Sequence, residues 1–262
     1  MNGYLLTENK RGIISFQKAK KNLKFKIKHF MKKIISCIII TMLLCLSAYS
    51  QDETFYSKTD NFLKKYVSDN KVDYDAIKKN PTELDEIIKL IANYELTQDE
   101  NANKAFIINA YNLFVIKGVS IKYPVKSPLD IAGFFDKNIY IISSKKVTLN
   151  DIENKMLRAK YKDARLHFVL VCGANGCPPL LSEAYLPKTL DEKLNQQATK
   201  ALNNPKFIKV TGNKIQLSQI FEWYKEDFKN KEIEFINSFR ENKLNPKSNF
   251  SYYPYDWSLN KK

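Results

Sequence analysis

The stretch from Ala105 to Ile116, Ala-Phe-Ile-Ile-Asn-Ala-Tyr-Asn-Leu-Phe-Val-Ile, constrains the fold of this chain most. A helix that is apolar nearly all round has no face to offer water, so it must lie in the centre of a domain with other elements packed about it. Thr97-Gln-Asp-Glu100 reads as the capping box that opens it. Asn109 and Asn112 interrupt the run at i, i+3 and so share a face. Buried amides need hydrogen-bond partners. The pair either ties the helix to neighbouring backbone or lines a pocket.

Around that helix the periodicities predict an α+β domain. Phe55, Phe62, Leu63, Tyr66 and Val67 fall at helical spacing, as do Leu84, Ile87, Ile88 and Ile91 after Asn80-Pro81. Asn138 to Ser143 reads as a strand, and Thr148 starts a helix. Ala164 to Cys172 is apolar on both faces and reads as the central strand of a small mixed sheet, covered on both sides. Thr189-x-x-Glu192 opens a further helix, residues 207–217 make a hairpin about Thr211-Gly-Asn-Lys214, and helices follow near 218–228 and 231–240. The aromatic tail to Asn260 is expected as an edge strand. No repeat, low-complexity linker or second domain is visible.

The first fifty residues read differently. Residues 1–30 carry eight Lys/Arg against one acid, Glu8, and suit an upstream over-read or a basic tail. Met31-Lys32-Lys33 then precedes the apolar run Ile34 to Ala48, a signal-peptide pattern too short for a comfortable membrane span. The spacing places cleavage before Gln51 and predicts export, to the periplasm or beyond, with no stable membrane span afterwards; the alternative is an uncleaved anchor. Of the net charge of +15, about +6 remains on residues 51–262, as scattered lysines. No basic face or nucleic-acid reading motif is present, so nucleic acid is not an expected partner. The length from residue 51 suits one domain with a single core.

Chemistry concentrates in Arg165-Leu-His-Phe-Val-Leu-Val-Cys-Gly-Ala-Asn-Gly-Cys-Pro-Pro-Leu180. Past residue 50, His167 is the only histidine and Cys172 and Cys177 are the only cysteines. Three readings compete. Cys177, ahead of Pro178-Pro179, is a candidate nucleophile at a helix N-terminus, with His167 as candidate base. His167 and Cys172 would face opposite sides of a strand, so only Cys177 could meet the imidazole, through a loop that doubles back. Cys172 and Cys177 could instead form one structural disulfide, the simplest use of two cysteines in an exported protein. Together with His167 they also offer three ligands to a metal, but a closed zinc site needs a fourth, which would have to be a carboxylate or water.

Three segments resemble the family called domain of unknown function 547: Ala105 to Asn112, Asp163 to Leu180, and Tyr255-Asp-Trp-Ser-Leu-Asn260. Leu149 to Arg158 resembles the family's helix ahead of the His/Cys segment. The likeness runs over roughly 95–260, with Ile107 standing where the family often has Trp. It implies His167, Cys172, Cys177, Asn109 and Asn112 as signature positions without assigning roles. The Cys and His content is also similar to papain-like and transglutaminase-like folds, although in those the histidine usually follows the cysteine.

Two function classes follow. One is a ligand- or partner-binding envelope protein, stapled by Cys172–Cys177, with its pocket near Asn109 and Asn112. The other is a thiol-dependent hydrolase or transferase using Cys177 and His167. The binding class is the reading taken, since no residue pattern forces chemistry, and no cofactor is expected.

Overall fold

The structure is a computed structural model that describes Met31, Lys33 and residues 53–262. The expected signal segment 31–50, its cleavage point and the tail 1–30 lie outside the described residues, apart from Met31 and Lys33. The chain divides into two units, Met1–Asp52 and Glu53–Lys262, and the second forms the folded domain.

Helix α1 (53–66) leads into a short hairpin, β1 (Val67–Ser68) and β2 (Lys71–Val72), then α2 (Tyr74–Lys79) and α3 (Thr82–Asn93). Helix α4 (Glu100–Lys122) is the expected central helix, with every residue from Ala102 to Ile116 buried. It is long and apolar enough to cross a membrane, but 89 % of its apolar stretch is buried inside the protein, which makes it a core helix. Its cap is Asp99, not Thr97. The Asp99 carboxylate accepts from the Asn101 and Ala102 amides at 2.8 and 3.1 Å, and Thr97 supports it by accepting from the Asp99 amide. A charged acceptor beside the helix N-terminus is the stronger cap.

After hairpin β3 (Tyr140–Ile142) and β4 (Lys145–Val147), Thr148 and Asp151 form a reciprocal capping box. They open the continuous helix α5, made of Leu149–Asp151, the π-helical stretch Ile152–Arg158, and Ala159–Tyr161. The C-terminal half packs α6 (Leu190–Leu202), α7 (Ile220–Trp223) and α8 (Glu232–Phe239) with a mixed sheet. In it β5 (Ile208–Thr211) pairs antiparallel with β6 (Lys214–Ser218), and β6 pairs parallel with β7 (Phe250–Tyr253).

The α+β expectation holds, but the sheet does not carry the His/Cys segment. Ala164–Phe168 is a 3₁₀ turn, and residues 169–172 are irregular. Two polar side chains explain the difference. Asp163 caps the turn by accepting the Arg165 amide at 3.0 Å. Asn112 on α4 then takes the ladder groups: its amide donates to Val169 O at 2.9 Å and its oxygen accepts from Val171 N at 2.9 Å. A buried backbone whose donors and acceptors are satisfied by a side chain needs no neighbouring strand.

The buried residues form two apolar clusters. The larger surrounds α4; the smaller joins α6, α7, α8 and the mixed sheet through Phe168, Phe207, Phe221 and Phe228. The segment 164–180 runs along the seam, and Cys177 packs against both clusters.

Candidate functional site

At that seam lies a cavity of about 500 Å³. The α4 side contributes Tyr111, α5 contributes Asn150 and Glu153, and the loop after α4 contributes Phe135 and Asp136. His167, Leu170, Cys172 and Pro178 line it from the signature segment. Ile220, Trp223, Tyr224, Tyr255 and Trp257 close the C-terminal side. A concave space of this size with mostly apolar walls and a few converging polar groups has the anatomy of a small-molecule site. The π-helical stretch adds to this: such bulges occur often at functional sites, and this one carries Glu153.

His167 is 5 % exposed and held on two sides. Its Nε2–H donates to Asp227 Oδ2 at 2.7 Å, and its ring stacks on Tyr224 with centroids 4.2 Å apart. The hydrogen bond from His167, opposed by burial and joined by Arg158 Nε at 2.6 Å, holds the Asp227 carboxyl well below the usual carboxylate range. Asp227 is therefore an acceptor only, which fixes the proton on Nε2. Arg158 lies over the same Tyr224 ring, 4.5 Å from its centroid. On the facing wall burial raises Tyr111 far above its ordinary value. It thus stays protonated and donates to Glu153 Oε2 at 3.2 Å.

The cysteines form a directed hydrogen-bond chain. Tyr255 stays protonated because burial raises its hydroxyl strongly. Its O–H donates to Cys177 Sγ at 3.0 Å, so the Cys172 thiol, 3.2 Å from the same oxygen, is the donor there. The Cys172 amide also donates to Cys177 Sγ at 3.1 Å. Burial pushes both thiols up. At Cys177 the donors from Cys172, Tyr255 and the Ala174 backbone outweigh it and the thiol is lowered, while Cys172 stays raised.

The loop carrying these sulfurs is laced to the C-terminal tail. Gly176 N donates to Asp256 O at 2.8 Å, Asn175 N to Ser258 O at 2.8 Å, and Asn260 N to Gly173 O at 3.0 Å. Gly173 has φ +84, and a Cβ on Gly176 would meet Asp256 N at 2.9 Å. Both glycines are therefore required by this close pairing. The sequence likeness in Cys172 to Cys177 and in Tyr255 to Asn260 is thus one structural unit in two pieces.

Several expectations change. Cys177 and His167 are not brought together: among the described residues no hydrogen bond joins His167 to either sulfur, and Cys177 borders a separate open concavity with Asn175 and Pro179. It is Cys172 that shares the cavity with His167. The two cysteines stand as free thiols, not as a disulfide. Asn109 and Asn112 do not line the cavity. Asn109 donates to Ala105 O and Tyr185 O and accepts from Tyr185 N, so both amides are used up in clamping backbone to α4. Among the described residues no group of three or more His, Cys, Asp or Glu is placed to hold a metal ion.

Sequence reasoning misses Asp227, Tyr224 and Trp223, which sit in an ordinary-looking helical run. Glu153, Arg158, Tyr255 and Trp257 lie inside the segments of likeness and are the available signal.

The fold and site define an α+β domain with an aromatic cavity between its two apolar clusters. Residues 95–202 match the family described as Protein of unknown function, DUF547. The match ends before Asp227, Tyr255 and Trp257, so much of the C-terminal wall lies beyond it. No curated protein and no solved structure matches the chain.

Proposed function

We propose that the chain is a small-molecule-binding domain whose ligand occupies the cavity between α4, α5 and the C-terminal aromatic wall. The observation that carries this is the cavity of about 500 Å³ with His167, Glu153 and six aromatic side chains in its walls. The chain has only two tryptophans, Trp223 and Trp257, and both line this cavity. Intrinsic fluorescence therefore reports on it directly. Titration with a set of aromatic fragments is expected to shift the emission saturably, and Trp257→Ala is expected to remove most of that affinity while the protein stays folded. Emission that responds to none of them sinks the reading.

A thiol-dependent transferase is the second reading, and it draws on Cys172 and His167 lining one cavity. On this reading the attacking sulfur is Cys172, whose burial-raised thiol needs a base to take its proton. Cys172→Ala separates the two readings: it abolishes turnover if the sulfur attacks, and spares binding if the cavity only binds.

Export through residues 31–50 and joining of Cys172 to Cys177 in an oxidising compartment belong to the same proposal. Support for the first is the charged start and apolar run of that segment; for the second, the shared Tyr255 hydroxyl. The mass of the alkylated, secreted protein checks both, and a chain retaining residues 31–50, with Cys37 and Cys45 in it, and carrying four adducts contradicts both.

A further inference from the structure

We infer that the cavity takes an organic cation, an amine carried on a flat apolar body; this rests on the cavity reading above and adds the ligand's chemical class. The first observation is the sign of the wall. The chain holds 43 Lys/Arg against 28 Asp/Glu, yet among the lining residues stand Asp136 and Glu153 and no Lys or Arg. Among the described residues neither carboxylate belongs to an ion pair. Arg158 interacts with the Glu153 charge through space but forms no ion pair with it. Its guanidinium is engaged by Asp227 and Asn154 and opens on a neighbouring concavity. Asp227 and Arg158 offset each other, which leaves a negative wall in a domain that carries about +6 past residue 50.

The second observation is the aromatic wall. Trp257 stacks with Trp223 at 5.9 Å between centroids, meets Tyr255 at 4.8 Å and approaches Phe135 at 6.2 Å. Trp223 is 44 % exposed, so an indole stands at the mouth with much of its surface uncovered. Ring faces carry the negative lobe of the aromatic quadrupole and attract cations, indole most strongly. Carboxylates and indoles together favour an ammonium group over a carboxylate or a neutral group. Tyr111 donates to Glu153 Oε2 and Tyr224 also hydrogen-bonds this carboxylate, so two tyrosines hold its charge at the cavity wall, where a carboxylate can still accept from an N–H of the ligand.

The test is a fluorescence titration of the full chain with phenethylammonium, its neutral counterpart phenethyl alcohol, the anion phenylpropionate, and methyl glucoside. The ammonium is expected to bind about tenfold more tightly than the alcohol, a difference of about 1.4 kcal/mol, and phenylpropionate most weakly. Glu153→Gln keeps an acceptor for Tyr111 but removes the charge. It is expected to lower the ammonium affinity about tenfold and leave the alcohol's unchanged. Asp136→Asn, at an exposed position, repeats the comparison without risk to folding. Equal or tighter binding of the alcohol, phenylpropionate or the glucoside overturns the cation assignment and leaves the cavity reading standing. So does an ammonium affinity unchanged in both variants. No response to any probe overturns both.

Discussion

At the scale of single residues, direction matters more than proximity. Cys172 and Cys177 share one tyrosine hydroxyl and the Ala174 backbone donor, but Cys177 alone also receives the Tyr255 O–H and the Cys172 amide. Negative charge on the pair therefore settles on Cys177, away from the cavity that Cys172 borders. Tyr255→Phe deletes one donor, and the midpoint of thiolate ultraviolet absorbance against pH is expected to move up. A midpoint that stays or falls would show that the amide alone sets the charge. The same logic applies to His167, whose proton position follows from Asp227 being held as a carboxylate by His167 and Arg158. None of this direction is visible in the spacing of His167, Cys172 and Cys177. It comes from Asp227 and Tyr255, distant in the chain, and only Tyr255 lies in a segment that resembles the family.

At the scale of elements, α4 is legible and the segment after Asp163 is not. An all-round apolar run leaves only a buried helix, and α4 is one. Residues 164–172 are apolar on both sides, a pattern shared by a covered strand and other buried segments, and periodicity cannot separate them. The deciding contact is made by Asn112, whose amide stands in for the neighbouring strand. Asn112→Ala leaves Val169 O and Val171 N buried without this partner, which costs about 2–4 kcal/mol, read from urea unfolding. A loss below about 0.5 kcal/mol would mean that the segment is held by its apolar packing. The hairpin β5–β6 and the Thr148 cap are readable because their signals are local: Gly212 at φ +57 in the turn, and an acid three residues after the capping threonine.

At the scale of the whole molecule, charge pairs tie the central helix to the signature segment. Lys104 of α4 and Arg165 both donate to Asp163, at 2.6 and 2.8 Å. Burial raises the Asp163 carboxyl, but the bonds from Arg165 and Lys104 outweigh it and hold it at about 2. A carboxyl whose folded value is depressed contributes stability that is complete above its unfolded value of about 3.9. That contribution is lost as pH falls towards about 2. Unfolding free energy is thus expected to be flat on this account above about pH 5 and to decline below about pH 4. Asp163→Asn should be less stable at neutral pH, by about 3 kcal/mol for a broken buried pair, and show a shallower acid decline. An unchanged acid slope would assign the decline to other carboxyls.

The space between the two clusters is, on this reading, built for a ligand. Crystallographic soaking with a cocktail of charged and neutral aromatic fragments tests that most directly. The expected result is a fragment between Glu153, His167 and the Trp223–Trp257 wall, its ring against indole. Fragments bound only elsewhere, with Trp223 folded into a filled cavity, would contradict it.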